Sequence, residues 1–148
     1  HTIGLGHTRL CILDLSTSAN QPFYSSDGRY VVVFNGEIFN YNKIKEELTA
    51  TFDTRFRTTS DTEVIAEGFS RWGTELLKRL EGMFAFAVVD LKTGRLFLVR
   101  DRVGKKPLYY SYHNGKLYFA SEIKALTAVP SLRGSLTVNR KTIASFLH

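Results

Sequence analysis

The sequence predicts an α+β fold: two packed, mainly antiparallel sheets with helices on their outer faces. Apolar, β-rich runs come in pairs joined by short turn signals. Met83–Asp90 and Arg95–Asp101 flank Lys92-Thr93-Gly94, and Leu108–Tyr112 and Lys116–Ser121 flank His113-Asn114-Gly115. Segments of helical spacing are inserted between the strands. The first pair is nearly apolar throughout, so both faces of its strands should be covered.

Taken in order, the first strand candidate is Leu10–Leu15, preceded by Gly4, Gly6, His7 and Arg9. Polar turn residues run through Asn20-Gln21-Pro22, and a loop at Ser25-Ser26-Asp27-Gly28 leads into the apolar run Tyr30–Phe34. That run is expected to stop at Asn35-Gly36, a strong turn signal. An amphipathic helix follows from about Asn40 to Thr49, with Ile44 and Leu48 four apart, and Phe52–Phe56 could form a brief strand. Ser60 and Glu63 have capping-box spacing, and the helix behind them carries Val64, Ile65, Phe69 and Trp72. A second helix is expected over Thr74–Leu80 and a short one over Glu122–Ala128, ending before Pro130.

At 148 residues the chain is one domain's worth, and 43% hydrophobic with 23% charged residues is a folded rather than disordered balance. No apolar run approaches membrane-spanning length, and no secretory start is present. The single cysteine, Cys11, excludes an internal disulfide framework and fits a reducing, cytoplasmic setting. A net charge of +6 could suggest nucleic acid. The basic residues are scattered, however, without zinc-ligand spacing or an aromatic RNA-binding signature, so they read as solvated surface. Both ends read as cut: the chain opens on His1, and Val138–His148 resembles the first turns of a helix that stops before any cap. This predicts a piece of a longer protein.

A strand that delivers Asn35-Gly36 sets an amide side chain beside a main-chain N–H. Two such donors can hold an oxygen that becomes negative during acyl transfer; the bland reading is a turn without chemistry. Asp61, in the first turn of its helix, suits the helix dipole and could also hold a substrate ammonium. Arg100, Asp101 and Lys106 could mark a phosphate site, but a loop ion-pair network is the preferred reading. Glu122 and Lys124 are assigned to a helix start.

Six ordered blocks then carry a family resemblance. They are Gly6-His7-Thr8-Arg9-Leu10, Phe34-Asn35-Gly36-Glu37-Ile38, Thr59-Ser60-Asp61-Thr62-Glu63, Leu80-Glu81-Gly82-Met83-Phe84-Ala85-Phe86, Arg100-Asp101-Arg102-Val103-Gly104-Lys105-Lys106-Pro107-Leu108 and Ala120-Ser121-Glu122-Ile123-Lys124-Ala125-Leu126. Together they resemble the glutaminase domain of glutamine-hydrolysing asparagine synthetase, a class II glutamine amidotransferase, over nearly the whole chain. The resemblance implies the four-layer αββα sandwich of the N-terminal-nucleophile hydrolases, here incomplete at the N-terminus.

It also implies roles for single residues. In the family an N-terminal cysteine attacks the glutamine amide, its own α-amino group serving as base. Asn35 and the N–H of Gly36 match the oxyanion hole, Arg9 matches the arginine on the substrate α-carboxylate, and Asp61 matches the acid on the α-ammonium, with the Gly36 carbonyl as a further ammonium contact. His7 stays structural. Cys11 lies inside an apolar run two residues after Arg9 and does not stand in for the nucleophile. The fragment alone is therefore expected to be inactive, as part of a glutamine-hydrolysing asparagine synthase.

No cofactor or metal is expected in residues 1–148; ATP and magnesium belong, by resemblance, to an absent synthetase domain. The expected partners are glutamine, the C-terminal synthetase domain of the same polypeptide and a second copy as a homodimer, with no nucleic acid and no membrane. Two alternatives stand beside asparagine formation: the same domain serving a different acceptor, and a non-catalytic glutamine-binding or protein-interaction module.

Overall fold

The computed structural model describes residues 2–8, 14, 16–137, 139, 142 and 145. Arg9, Cys11, most of the strand expected over Leu10–Leu15 and most of the helix expected over Val138–His148 lie outside them. Where composition read one domain's worth of chain, two compact units are found, residues 1–107 and 108–148.

The first unit holds a four-stranded antiparallel sheet in the order β1 (Phe23–Tyr24), β2 (Tyr30–Ile38), β3 (Gly82–Asp90) and β4 (Arg95–Arg100). Two helices follow β2 in the chain, α1 (Tyr41–Phe52) and α2 (Asp61–Trp72), and a 3₁₀ segment, Gly73–Lys78, leads back to β3. Alternation along the strands decides which residues meet the helices. Tyr30, Val32, Phe34 and Ile38 of β2 join Phe84, Phe86 and Val88 of β3 in one buried cluster with Ile44, Leu48, Val64, Ile65 and Phe69 of the helices. Phe69 sits at its centre, 6.1 Å from the Tyr30 ring, 6.2 Å from Phe86 and 5.6 Å from Phe97. Val31, Val33, Ala85, Ala87 and Val89, which point to the opposite face, are also buried. Both faces of β3 are thus covered, as its composition predicts. β4 is not so enclosed: its residues are half-buried or exposed, because it is the edge strand.

Several local expectations are corrected. The β2 strand does not stop at Asn35-Gly36; it runs through to Ile38, with Gly36 opposite Phe84 and Ile38 opposite Gly82. Tertiary pairing overrides the turn preference of the dipeptide, and the glycine serves close approach instead. A Cβ at Gly36 (φ +153°) would collide with the Met83 carbonyl oxygen, and one at Gly82 (φ +159°) with that of Glu37. No strand forms over 52–56: Phe52 closes α1, and Asp53 caps it in the left-handed conformation, its N–H donating to the carbonyls of Leu48 and Thr49. The expected helix over Thr74–Leu80 is the tighter 3₁₀ segment.

The second unit is a β-hairpin, β5 (Tyr109–His113) with β6 (Lys116–Ala120), followed by short helices α3 (Ile123–Thr127) and α4 (Pro130–Arg133). The predicted Asn114-Gly115 turn closes it, both residues at positive φ. An apolar cavity of about 430 Å³ lies within this unit, lined by Tyr109, Ile123, Leu126, Leu132 and Leu136 among others. Among the described residues, no helix is long and apolar enough to cross a membrane.

Candidate active site

The site is built where the second half of β2 meets the start of α2. β1 is only two residues long and pairs with Val31 and Val32 alone. Beyond that point, among the described residues, no strand covers this edge of β2. In an antiparallel strand, alternate residues direct both main-chain groups to the same side. The even-numbered residues of β2 turn away from β3. Phe34 N–H donates to Gln21 Oε1 at 2.6 Å, and Ile38 N–H donates to Asp61 Oδ2 at 3.0 Å. Gly36, between them, presents its N–H and C=O to the same open edge. The adjacent residue, Asn35, shares a sheet face with Val31, Val33 and Glu37, opposite the helices.

Asp61 is the first residue of α2 and only 6% exposed. Burial pushes its carboxyl above the ordinary carboxylate range. Hydrogen bonds from the N–H groups of Ile38, Thr62 and Asp61 itself oppose that shift, and the charge of nearby Glu37 adds to it. Among the described residues no cation pairs with Asp61. This is a buried acid whose charged form would be stabilised by a cation placed on the β2 edge.

The entry to α2 is held by an unusual set of carboxylates. Ser60 caps the helix, its Oγ accepting from Thr62 N–H at 3.2 Å. The reciprocal half of the expected capping box is absent. Glu63, fully buried, accepts instead from Arg57 N–H (2.9 Å), Thr58 N–H (2.7 Å) and Thr58 Oγ1 (2.6 Å), while Ser60 N–H donates to Thr58 Oγ1. Glu67, equally buried, accepts from the N–H and hydroxyl of Ser26 at 2.6 and 2.8 Å. Asp14 accepts from the N–H and hydroxyl of Thr59.

The Arg100–Lys106 loop is ordered, but not by the expected ion-pair network. Asp101 accepts four main-chain N–H groups, those of Phe84, Val103, Lys105 and Lys106. Burial alone would raise its carboxyl, yet these donors hold it down at about 2. Arg100 donates to the carbonyls of Gly104 and Lys106. With its guanidinium spent on main chain, the loop has the character of a structural brace. Glu122 is the residue before α3, as expected, and pairs with Lys124 at the surface.

Of the four sequence-predicted site residues, Gly36 and Asp61 meet on one edge, Asn35 adjoins them, and Arg9 lies outside the described residues. Sequence reasoning passed over Gln21, placed among polar turn residues, and over Glu37, whose charge bears on Asp61. Glu37 could have been noticed as an acid beside Asn-Gly. Nothing in local spacing marks Gln21.

The chain as a whole, with Asn35-Gly36 on one strand edge beside the buried acid Asp61, is similar to known proteins. The family model described as "Glutamine amidotransferase domain" matches residues 1–148, and the chain belongs to that family. It is 44% identical over 128 residues to "Asparagine synthetase [glutamine-hydrolyzing] 2" of Bacillus subtilis, covering 86% of this chain and 17% of that protein. It is 41% identical over 128 residues to "Amidase chry2" of Gibberella zeae, covering 86% of this chain and 19% of that one. The chain thus spans about a fifth of the length of these relatives. Among solved structures, glutamine phosphoribosylpyrophosphate amidotransferase from Bacillus subtilis superposes with a TM-score of 0.69 at 24% identity, over 86% of this chain and 28% of that one. That likeness is one of fold.

Proposed function

We propose that the polypeptide containing this chain hydrolyses glutamine to glutamate and ammonia here, and passes the ammonia to an ATP-dependent synthetase region that amidates aspartate. The observation that carries the reading is the open edge of β2, where Gly36 presents its main-chain groups between Asn35 and the buried Asp61. Membership of the glutamine amidotransferase family supports the hydrolytic half, and the names of the asparagine synthetase relatives support the acceptor.

In this reading an N-terminal cysteine of the parent polypeptide attacks the side-chain amide carbon. The amide oxygen becomes negative and is received by the Asn35 side chain and the Gly36 N–H, donors placed before the charge develops. Ammonia leaves with a proton, and water then releases glutamate from the thioester. Asp61 and the Gly36 carbonyl hold the α-ammonium; the substrate cation favours the ionised form of Asp61, which burial disfavours. Arg9 holds the α-carboxylate as a planar, permanently charged fork. ATP and magnesium act in the synthetase region, and the protein works in the cytoplasm.

The test begins with the N-terminus and intact mass of the native protein, followed by glutaminase kinetics of Asn35→Ala. A mature N-terminal cysteine and a kcat lowered by about 10² to 10³, with little change in KM, are the expected results. A native protein without an N-terminal cysteine, or a kinetically silent Asn35→Ala, overturns the reading.

A further inference from the structure

We propose that Gln21 is a positioning residue for glutamine hydrolysis, fixing the oxyanion segment of β2 against the helix that carries Asp61. The inference rests on the glutaminase reading above. Its geometry stands by itself. Among the described residues, no strand pairs with Phe34 on this side, and the Gln21 side chain does that work. Its Oε1 accepts from Phe34 N–H at 2.6 Å, while its Nε2 donates to Phe34 C=O at 3.2 Å and to Thr62 Oγ1 at 3.3 Å. One primary amide thereby pairs both main-chain groups of the residue immediately before Asn35, and also reaches the residue immediately after Asp61.

The placement matters because β1 has already ended. Strand pairing on this side stops at Val32. Among the described residues, Gln21 holds this edge at Phe34 and Asp61 holds it at Ile38, with Gly36 midway. Asp61 must keep its carboxylate available to a substrate cation, so Gln21 is the clamp that chemistry leaves untouched. Only an amide suits it: the same side chain must accept from an N–H and donate to a C=O, which a carboxylate or a hydrocarbon cannot do. Loss of the clamp lets the Asn35–Gly36 donors drift from where the oxyanion forms, and small displacements of that kind are costly to turnover.

The experiment uses the full-length parent protein with Gln21→Ala and Gln21→Glu. Active sites are titrated with a glutamine-like diazoketone that alkylates the nucleophile, so that rates are expressed per competent site. Amide exchange of residues 34–38 is measured in parallel. We expect kcat per titrated site to fall roughly ten- to a hundredfold in Gln21→Ala, KM for glutamine to change much less, and exchange in 34–38 to accelerate. In Gln21→Glu, activity relative to wild type should recover as pH falls and the carboxyl regains a donor proton. A merely structural residue would lower the number of titrated sites and leave the rate per site unchanged; that result overturns the proposal. So does unaltered exchange in 34–38, whatever the activity. A parent protein without glutaminase activity would sink the catalytic reading instead, and the exchange result would still decide whether Gln21 holds β2.

Discussion

Asp61 Oδ2 accepts the main-chain N–H of Ile38 at 3.0 Å, tying the first residue of α2 to the last residue of β2. The bond adds a donor from β2 to those of the helix start, and among the described residues no cation pairs with the buried carboxylate.

The consequence for stability has a definite sign. Burial raises the folded-state carboxyl of Asp61 above the unfolded value. The contribution linked to its protonation is therefore complete below the ordinary carboxylate pKa of 3.8 and is lost as pH rises through the raised folded value. At neutral pH the ionised group costs stability. Asp61→Asn, whose amide oxygen can still accept from Ile38, should melt no lower than wild type at pH 7. Its advantage should shrink toward pH 4, while KM for glutamine rises at least about tenfold through loss of a charged partner. A variant that melts lower at pH 7 and higher at pH 4 would reverse the argument.

Gly36 and Gly82 face each other's strands in a reciprocal way. A methyl on either meets the opposing backbone, within 2.7 Å of Phe84 Cα for Gly36 and 3.0 Å of Ile38 Cα for Gly82. Gly36→Ala and Gly82→Ala should each destabilise the protein by about 1–3 kcal/mol, the usual cost of forcing a glycine-only backbone. Chemical denaturation of both variants tests this, and a neutral Gly82→Ala would refute the close approach.

Glu63→Gln replaces an acceptor with a donor inside the protein. Both carboxylate oxygens accept main-chain N–H groups, so the new NH₂ must confront Arg57 or Thr58. An unsatisfied buried donor costs about 1–3 kcal/mol. The midpoint of urea unfolding should fall, with the Arg57 and Thr58 amides exchanging faster than those of the β2–β3 ladder.

Asp101 supplies an acid-sensitive brace. Its folded carboxyl is held at about 2, below the ordinary value of 3.8, so its contribution is complete above 3.8 and lost as pH falls through about 2. Residues 102–106 should resist an acid protease at pH 4 and become cleavable near pH 2 before the β2–β3 ladder opens. In Asp101→Asn that acid dependence should disappear. Cleavage independent of pH in wild type would contradict the assignment.

What could be read in advance was what is decided locally. The turns at Lys92-Thr93-Gly94 and Asn114-Gly115 follow from the residues at the turn itself, and the strands they join were placed to within a residue or two. The helix behind Ser60 was legible for the same reason, since cap and apolar stripe adjoin in sequence. Asn35-Gly36 misled because its neighbours in space, Phe84 and Ala85, lie about 50 residues away and convert a turn signal into a strand interior. The donors to Glu63 were mistaken because Arg57 N–H and the N–H and hydroxyl of Thr58, rather than Ser60, reach its carboxylate. Asn35, Gly36 and Asp61 stood out by residue type and position beside a structural alternative, and family resemblance decided between the two; their physical relation along one edge of one strand appears only in the fold. Gln21 was invisible because its role depends on where β1 ends.

The first two turns of α2 hold four separate segments: Gln21 through Thr62, Ser26 through Glu67, Ile38 through Asp61, and Arg57-Thr58 through Glu63. A helix joined in this way cannot slide along its axis without breaking all four attachments together. Slackening of the pocket is thereby coupled to loss of the frame. On warming, catalytic competence and tertiary structure should vanish in one step, leaving no temperature range in which the molecule is folded but idle.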